Sequence, residues 1–412
     1  MTPVLPVPRF ELTETGPGIV RRLTGGQLAM LMAVPELVGL APAAGGQWRI
    51  RGNQKVGLVR LGRGADALEV LIRPKLAISH LLFLIGYAPH DPWHRDTVEL
   101  GTAEDLLPAV AELFARTVRR TLETGVLYGY RTVEEDLTVV RGRIRTTDQL
   151  RRTGLPLPVA VRYDDHSPDI PENRILLGAL HHLELLPGIA PATRTLLRHL
   201  AGRLAGVRPP IPGEPLPVWA PNRLNARYRS ALRLAELVLA GRAVQPEGPA
   251  ALQGDGFLLD MPRVFENFLA SALGDALRGH GVRCAAQETR HRLDQAGRVR
   301  LRPDLVLYRA GQPAGVVDAK YKALNASVPP TEHLYQLLSY CTALGLPAGH
   351  LVYAGGSAAP SAAAHTVRGS GAVIHAHTLD LGQPPADLLA AVTGLARVLA
   401  PAGDPDSAAT AG

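Results

Sequence analysis

Alternating apolar and polar positions dominate the first part of the chain. A two-residue period is typical of strands with one buried face, and here it predicts strands at Arg9 to Thr13, Gln47 to Arg51, Lys55 to Leu61 and Ala67 to Arg73. A helical pattern, Gln27 to Val38, interrupts these strands. The chain is therefore expected to begin with a small β-rich module.

Apolar residues three or four positions apart characterise the middle of the chain. This period predicts helices at Ala77 to Tyr87, Glu104 to Thr124, Asn173 to Leu186, Ala192 to Leu204 and Leu224 to Leu239. A strand-like piece is expected at Asp136 to Ile144, and the stretch Asp164 to Pro171 has the acidic, proline and serine residues of a loop. Gln245 to Gly256 is rich in glycine and proline, which predicts a linker between two halves.

The last third of the chain predicts the order helix, three strands, helix, strand. The helices are expected at Arg263 to Leu277 and Glu332 to Leu344, and the strands at Val282 to Arg290, Val299 to Tyr308, Ala314 to Tyr321 and His350 to Tyr353. With 412 residues and mixed elements, we expect an α/β (α+β) protein of two domains.

The charge of the chain favours a nucleic-acid partner. The net charge of +7 comes mainly from arginine, whose planar guanidinium can donate two hydrogen bonds to a phosphate. A high-GC genome also enriches proteins in arginine, so the charge alone leaves both explanations open. No apolar run has membrane-spanning length, no signal peptide is found, and Cys284 and Cys341 lack zinc-ligand spacing, so we expect a cytoplasmic protein with reduced thiols.

Two carboxylates and a lysine stand out in the predicted strands of the last third. Asp304 lies in the second strand, and Asp318 and Lys320 lie near the end of the third. The two-residue period puts Asp318 and Lys320 on one face of their strand, and the neighbouring strand can bring Asp304 beside them. Converging carboxylates repel each other unless a cation lies between them, so the sequence predicts a Mg²⁺ site that hydrolyses phosphodiesters, with Lys320 at the attacking water. A plain surface ion pair between Asp318 and Lys320 is the alternative.

These residues match the PD-(D/E)xK nuclease signature, with Asp304 and Asp318 separated by fourteen positions. Glu266 on the preceding helix stands where such nucleases often add a third acidic residue, so the predicted metal ligands are Asp304, Asp318 and Glu266. Gln336 and Tyr340 lie one helical turn apart and would support the site. Glu266 as a simple helix-terminal charge, and Gln336 and Tyr340 as boundary residues of an amphipathic helix, remain alternatives.

Further short motifs follow one another in a fixed order along the chain. The N-terminal half contains Ile72-Arg73-Pro74-Lys75-Leu76, Arg141-Gly142-Arg143-Ile144, Tyr163-Asp164-Asp165-His166-Ser167 and Asn173-Arg174-Ile175-Leu176. The C-terminal half contains Phe265-Glu266, Pro303-Asp304, Asp318-Ala319-Lys320-Tyr321-Lys322 and Tyr335-Gln336. In this order the motifs resemble the McrC family, the nuclease subunit of the McrBC 5-methylcytosine-specific restriction system.

The resemblance implies boundaries between the regions of the chain and separate roles for the chain and its partner. Residues 1–245 would form a partner-docking region, residues 246–400 a restriction-endonuclease-like PD-(D/E)xK domain with a mixed central sheet, and residues 401–412 a disordered tail. An AAA+ GTPase of the McrB type would be the partner that reads modified cytosine in double-stranded DNA, while this chain stimulates GTP hydrolysis and cuts with Mg²⁺. The sequence contains no GxxxxGK[ST] phosphate loop, in agreement with a separate motor subunit.

The sequence leaves three alternatives. Arg141 and Arg143 are candidates for contacts to the partner, although a solvated strand edge or a DNA-facing position explains these basic residues at least as well. The chain could instead be a non-cutting adaptor that activates an AAA+ NTPase, but the presence of the whole acidic and lysine set disfavours this. A stand-alone DNA repair nuclease is disfavoured by the N-terminal motifs.

Overall fold

Four strands build the first sheet, and one of them comes from a distant part of the chain. The computed structural model describes residues 7–62, 64–87, 106–151, 157–211, 214–240, 255–322, 328–355 and 363–400. The sheet has the order β1-β6-β5-β10 and consists of β1 (Arg9–Thr13), β6 (Leu68–Arg73), β5 (Lys55–Leu61) and β10 (Asp255–Asp260). β1 runs parallel to β6, whereas β5 is antiparallel to both of its neighbours. The strands predicted from alternation at Arg9 to Thr13 and Lys55 to Leu61 are confirmed at both ends.

A second, three-stranded sheet completes the N-terminal module. It has the order β2-β4-β3 and consists of β2 (Ile19–Arg21), β4 (Gln47–Gly52) and β3 (Val38–Ala43), with helix α1 (Gly25–Met32) before β3. Helix α2 (Ile78–Gly86) follows β6 and confirms the helix predicted at Ala77 to Tyr87 to within one residue at each end. The two sheets and α1 share one core that includes Leu31, Ile50 and Val59.

The helix predicted at Gln27 to Val38 is too long at its C-terminal end. Its start is fixed by a capping box, in which Thr24 and Gln27 each accept a hydrogen bond from the other's backbone N–H. It ends at Met32 because Pro35 follows three residues later and disfavours helical backbone at the residue before it. Val38 instead begins β3.

The described part of the chain divides into two compact units: residues 1–109 with 243–412, and residues 110–242. The boundary predicted at residue 245 separates two regions by their expected function, whereas the two compact units are separated by contacts within the fold. The functional boundary stays a prediction. Residues 245–254 of the predicted linker lie outside the described residues. Its last two residues, Asp255 and Gly256, belong to β10. The predicted tail, 401–412, also lies outside the described residues. Within the described residues, no helix is long and apolar enough to cross a bilayer.

The unit of residues 110–242 combines a charged three-stranded sheet with helices. The sheet has the order β7-β9-β8, with β7 (Gly129–Leu137), β9 (Val159–Ser167) and β8 (Arg143–Ile144). The helices are α3 (Leu106–Leu122), which begins before this unit, α4 (Thr146–Leu150), α5 (Pro171–Leu185), α6 (Pro191–Arg203) and α7 (Arg229–Ala240). Helix α5 packs on both α6 and α7.

Two expectations for this unit are wrong. The strand predicted at Asp136 to Ile144 is two strands, because β7 ends at Leu137 and the chain turns through Gly142, which has a φ of +75°, before β8. The loop predicted at Asp164 to Pro171 is a strand as far as Ser167. Its charges have partners across the sheet: Thr132 donates a 2.8 Å hydrogen bond to Asp164, and Arg141 lies 3.0 Å from Asp165.

A six-stranded mixed sheet forms the centre of the C-terminal region. Its order is β11-β12-β13-β14-β16-β15, with β11 (Val282–Ala286), β12 (Leu305–Arg309), β13 (Gln312–Lys320), β14 (Ala348–Gly355), β16 (Val373–Asp380) and β15 (Ala363–Thr366). β11, β12 and β13 are antiparallel, β13, β14 and β16 are parallel, and β15 is antiparallel to β16. The predicted α/β (α+β) class with a mixed central sheet is confirmed.

Three helices accompany this sheet: α8 (Met261–Arg278), α9 (Thr331–Leu344) and α10 (Pro385–Leu399). Helix α9 packs Leu337, Tyr340 and Cys341 onto Leu351 and Tyr353 of β14. Helix α8 packs on β11, β13 and α10. The predicted order of helix, three strands, helix and strand is therefore present, and it places α9 directly over the face of β13 that carries the acidic and lysine residues.

Candidate active site

Strand pairing brings the two predicted aspartates together. Asp304 comes immediately before β12, and Leu305 of β12 lies opposite Val317 of β13. Asp318 is the next residue on β13, and the backbone N–H of Ala319 donates a 2.8 Å hydrogen bond to Oδ2 of Asp304. The structure thus places Asp304 beside the segment that carries Asp318 and Lys320, as expected from the pairing of neighbouring strands.

Burial and like charge shape the electrostatics of this cluster. Asp318 is only 1% exposed. Burial, followed by the charges of Asp318 and Glu266, raises the pKa of Asp304 to about 7. Burial, followed by the charges of Asp260 and Asp318, also raises the pKa of Glu266. The neighbouring carboxylates therefore disfavour ionisation of Asp304 and Glu266, and a cation in the cluster would relieve that repulsion.

Lys320 is held at the end of β13 by groups from two elements. Its Nζ lies 2.6 Å from Oδ2 of Asp318 and donates a 2.8 Å hydrogen bond to Oε1 of Gln336 on α9. Gln336 in turn donates a 3.0 Å hydrogen bond to the hydroxyl of Tyr340, whose own hydroxyl donates to the carbonyl of Arg302 at 3.3 Å. The predicted pair on α9 therefore lies in one chain of contacts with the predicted catalytic lysine.

Gln287, which the sequence analysis did not identify, links Glu266 to the cluster by hydrogen bonds. Gln287 donates a 3.1 Å hydrogen bond from its side chain to Glu266, and its backbone N–H donates to the carbonyl of Asp304 at 2.8 Å. Its φ of +48° is rare for a residue with a side chain. Nothing in the sequence indicates that backbone conformation. The strand predicted to extend to Arg290 ends at Ala286, and this turn at Gln287 is the reason.

The residues present fit a divalent cation held by two carboxylates. Asp318 is buried, and its Oδ2 lies 2.6 Å from the ammonium of Lys320, which is its cationic partner among the described residues. Buried carboxylates that converge at one point, as Asp304 and Asp318 do, are stabilised by a cation between them. Within the described residues, no three His, Cys, Asp or Glu side chains are arranged to hold a metal ion. Mg²⁺ needs only one or two carboxylates beside water and phosphate oxygens, so Glu266 as a third ligand stays a prediction.

The N-terminal module contacts the residue that follows Lys320. Tyr321 donates a 2.8 Å hydrogen bond to the fully buried Glu14, and its carbonyl accepts one of 2.8 Å from the side chain of Gln54. The ammonium of Lys75 lies 3.7 Å from Glu14 and 4.2 Å from the centre of the Tyr321 ring. Lys75 belongs to the sequence motif Ile72 to Leu76, but no sequence pattern predicts that Glu14 and Gln54 lie beside Tyr321.

The two arginines considered as partner contacts differ in their surroundings. Arg141 pairs with Asp165 and lies 4.0 Å from the centre of the Tyr163 ring. Arg143 is exposed on β8. Both belong to the compact unit of residues 110–242, and their role toward a partner stays a prediction.

Comparison with known proteins adds a family to this geometry. A family described as McrBC 5-methylcytosine restriction system component matches residues 50–354. No curated protein matches the chain. Among solved structures, a refined half-complex from the tetradecameric assembly of Thermococcus gammatolerans McrB AAA+ hexamers with bound McrC contains a chain that is 17% identical, with 94% of this chain and 98% of that chain covered and a TM-score of 0.49. A cryo-EM structure of the Thermococcus gammatolerans McrBC complex contains one that is 18% identical, with 65% and 88% covered and a TM-score of 0.38.

Proposed function

Because the chain belongs to the family of McrBC 5-methylcytosine restriction system components, we propose that it is the subunit that cuts DNA, as a Mg²⁺-dependent endonuclease of the PD-(D/E)xK kind. The observation that supports this most is the junction of β12 and β13, where Asp304, the buried Asp318 and Lys320 meet. The expected resemblance to the McrC family agrees with the matched family.

Each residue of the cluster has a role in phosphodiester hydrolysis. Asp304 and Asp318 would hold Mg²⁺, with Glu266 as a further acidic residue. When bound, Mg²⁺ would lower the pKa of a water molecule and offset the charge that develops on the phosphate. Lys320 orients the attacking water or helps to remove its proton, and its fixed ammonium also faces the negative charge of the transition state. Gln336 and Tyr340 keep that ammonium in place.

The proposed partner is an AAA+ GTPase of the McrB type. The motifs of the McrC family cover both halves of the chain, and the chain itself has no phosphate loop for nucleotide hydrolysis. The partner would recognise modified cytosine in double-stranded DNA and would be stimulated in GTP hydrolysis by this chain. Cutting would then depend on assembly of the two proteins.

The test is cleavage of methylated and unmethylated plasmid in Mg²⁺ or in EDTA. The full chain is assayed alone and with an AAA+ GTPase of the McrB type plus GTP or ATP. Asp318→Ala serves as the inactive variant, and Asp387→Ala, an exposed carboxylate on α10, is the matched control. Cleavage that needs Mg²⁺, partner and nucleotide, and that is lost only in Asp318→Ala, is the expected result.

Two other outcomes would overturn the proposal. Cutting without any partner, still dependent on Asp318, would identify a stand-alone nuclease. Stimulation of the partner's NTPase activity without cutting under any condition would identify a non-cutting adaptor.

A further inference from the structure

Arginine is concentrated in the segment that leads into Asp304. We call residues 290–302, between β11 and β12, the arginine hairpin. Its thirteen residues contain one acidic side chain, Asp294, and five arginines, which are Arg290, Arg292, Arg298, Arg300 and Arg302. The sequence predicted that part of this segment would be regular strand, but β12 begins only at Leu305.

The arginine hairpin has a regular, hydrogen-bonded backbone. Its two arms are joined by backbone hydrogen bonds from Leu293 to Val299 at 3.0 Å and from Leu301 to His291 at 3.1 Å. Asp294 closes the turn, because its side chain accepts a 2.7 Å hydrogen bond from the backbone N–H of Val299. The side chains along it are therefore presented from a defined backbone.

Three of the five arginines are engaged within the protein. Arg290 pairs with Glu288 at 3.1 Å, Arg292 donates hydrogen bonds to backbone carbonyls, and Arg302 donates to the side chain of Gln287 at 2.5 Å. Arg298 and Arg300 are exposed, and neither has a hydrogen bond or an ion pair with any described residue. Two guanidinium groups of the hairpin are thus free to bind an outside anion.

The free arginines lie close to the candidate active site along the chain. Arg300 and Arg302 are exposed, whereas Leu301 and Pro303 between and after them are buried, so the two arginines project from the same side of the segment. Arg300 lies four positions before Asp304, which is at most about 14 Å of chain. One DNA strand carries a phosphate about every 3.4 Å of helix axis, so a duplex with one phosphate at Asp304 has others within reach of Arg300.

We propose that the arginine hairpin binds the phosphate backbone of duplex DNA beside the bond that is cut, with Arg298 and Arg300 as the contacting residues. This inference rests on the proposed nuclease function and names residues that would hold its substrate. Paired guanidinium donors match phosphate oxygens in geometry and charge. The contact is to the backbone, so it positions the duplex and does not read its sequence.

The test compares two double variants of the full chain that lose the same charge. Arg298→Gln/Arg300→Gln removes the free arginines of the hairpin. Arg368→Gln/Arg397→Gln is the matched control, because both residues are exposed and lie in the β15–β16 turn and on α10, away from the β11 edge of the sheet. Binding of a labelled duplex is followed by fluorescence anisotropy over a range of salt concentrations, in EDTA, with and without the AAA+ partner. Thermal melting checks that each variant is folded.

The hairpin variant is expected to bind at least about tenfold more weakly than wild type, since two charge-assisted hydrogen-bonding groups are lost. The slope of log affinity against log salt should fall in magnitude by about 2, because each lost phosphate contact accounts for about 0.9. The control variant should keep both the affinity and the slope of the wild type.

Three results would overturn the inference. The first is a hairpin variant that binds like its control, and the second is a wild type that does not bind the duplex in either condition. The third is loss of partner NTPase stimulation with DNA binding intact, which would make the hairpin a protein contact. Binding is measured without cutting, so failure of the nuclease proposal in the plasmid assay is a separate result.

Discussion

Tyr321 donates a hydrogen bond of 2.8 Å from its hydroxyl to Glu14, which lies 307 residues earlier in the chain. Tyr321 directly follows Lys320, the predicted catalytic lysine, and Glu14 follows β1 of the N-terminal module. Glu14 is fully buried, and its other carboxylate oxygen has no hydrogen-bond partner among the described residues. The N-terminal module therefore fixes the end of the strand that carries the candidate active site.

Replacing Tyr321 with phenylalanine should destabilise the protein by about 1–3 kcal/mol, because the variant leaves a buried carboxylate oxygen without its donor. The free energy of unfolding is measured by urea denaturation. Tyr335→Phe is the control, since Tyr335 is 69% exposed on α9 and should change stability by less than about 0.5 kcal/mol. Equal stability of the two variants would contradict a structural role for the Tyr321–Glu14 hydrogen bond.

Replacing Gln336 with leucine should slow cleavage less than replacing Lys320 with methionine. Lys320→Met removes the ammonium and should lower the single-turnover rate at least about 100-fold. In Gln336→Leu the ammonium still contacts Asp318, so a loss of about tenfold is expected. The rates are measured with partner and nucleotide present, and DNA affinity serves as the control readout. If Gln336→Leu cuts at the wild-type rate, its contact with Lys320 does not serve catalysis.

Three histidine rings stack between β14 and β16. The ring centre of His350 lies 5.0 Å from that of His375 and 5.3 Å from that of His377, and Nδ1 of His350 lies 3.0 Å from Nε2 of His377. Burial, followed by the neighbouring histidines, lowers the pKa of His350 to about 3, and burial, followed by His375, lowers that of His377 to about 4. The folded protein thus keeps both rings neutral at pH values where an unfolded chain would protonate them.

Stability should therefore fall as the pH drops below the ordinary histidine pKa of 6.5 toward about 4, because the unfolded chain takes up protons that the folded one refuses. Each such histidine contributes a slope on the order of 1 kcal/mol per pH unit. His350→Gln should make the free energy of unfolding less sensitive to pH between about 6.5 and 4. His199→Gln, an exposed histidine of α6, should leave the pH dependence unchanged, and identical pH profiles for all three proteins would contradict the assignment.

A buried aspartate organises three arginines in the unit of residues 110–242. Asp169 is 5% exposed, and its carboxylate lies within 3.2 Å of Arg131, 2.6 Å of Arg174 and 2.8 Å of Arg208. Burial alone would raise the pKa of Asp169, but the hydrogen bonds and charges of Arg174 and Arg208 hold it well below its usual range. The carboxylate is consequently ionised in the folded protein at neutral pH.

Asp169→Asn should cost about 3 kcal/mol, because it leaves the three guanidinium groups around a neutral amide. Thermal unfolding monitored by circular dichroism measures the loss. Asp165→Asn is the matched variant, since its pair with Arg141 is largely solvated and should contribute less than about 1 kcal/mol. A melting temperature of Asp169→Asn equal to that of Asp165→Asn would refute the expected cost.

The sequence predicted best those elements whose stability comes from their own periodic apolar face. Helix α9 was predicted within one residue of its Thr331 start, because its buried residues recur at helical spacing along the segment. The two-residue period likewise predicts that Asp318 and Lys320 lie on one face of a strand. This alternation depends only on adjacent residues, so it does not require the ends of the strand to be known.

Local sequence patterns do not predict features whose interaction partners lie far away in the chain. The predicted linker, Gln245 to Gly256, includes the first two residues of β10, because the pairing partner of this strand, β5, lies almost two hundred residues away. The sequence predicts that Gln287 lies inside the strand Val282 to Arg290, because only the folded turn shows its positive φ. The sequence predicts a loop from Asp164 onward, although β9 continues to Ser167, because the partners of its acidic residues, Thr132 and Arg141, lie in β7 and in the turn before β8.

Strand β10 is translated long after its pairing partner β5, so the first sheet stays incomplete during much of protein synthesis. Strand β5 presents an unpaired edge from the time Leu61 leaves the ribosome until Asp255 to Asp260 emerge and pair with it. At ordinary rates of translation that interval lasts roughly 10 to 40 s. An open strand edge is a template for pairing with other chains. The nascent N-terminal module is thus a natural client for chaperones, and a ribosome that stalls before residue 255 releases a fragment prone to aggregation.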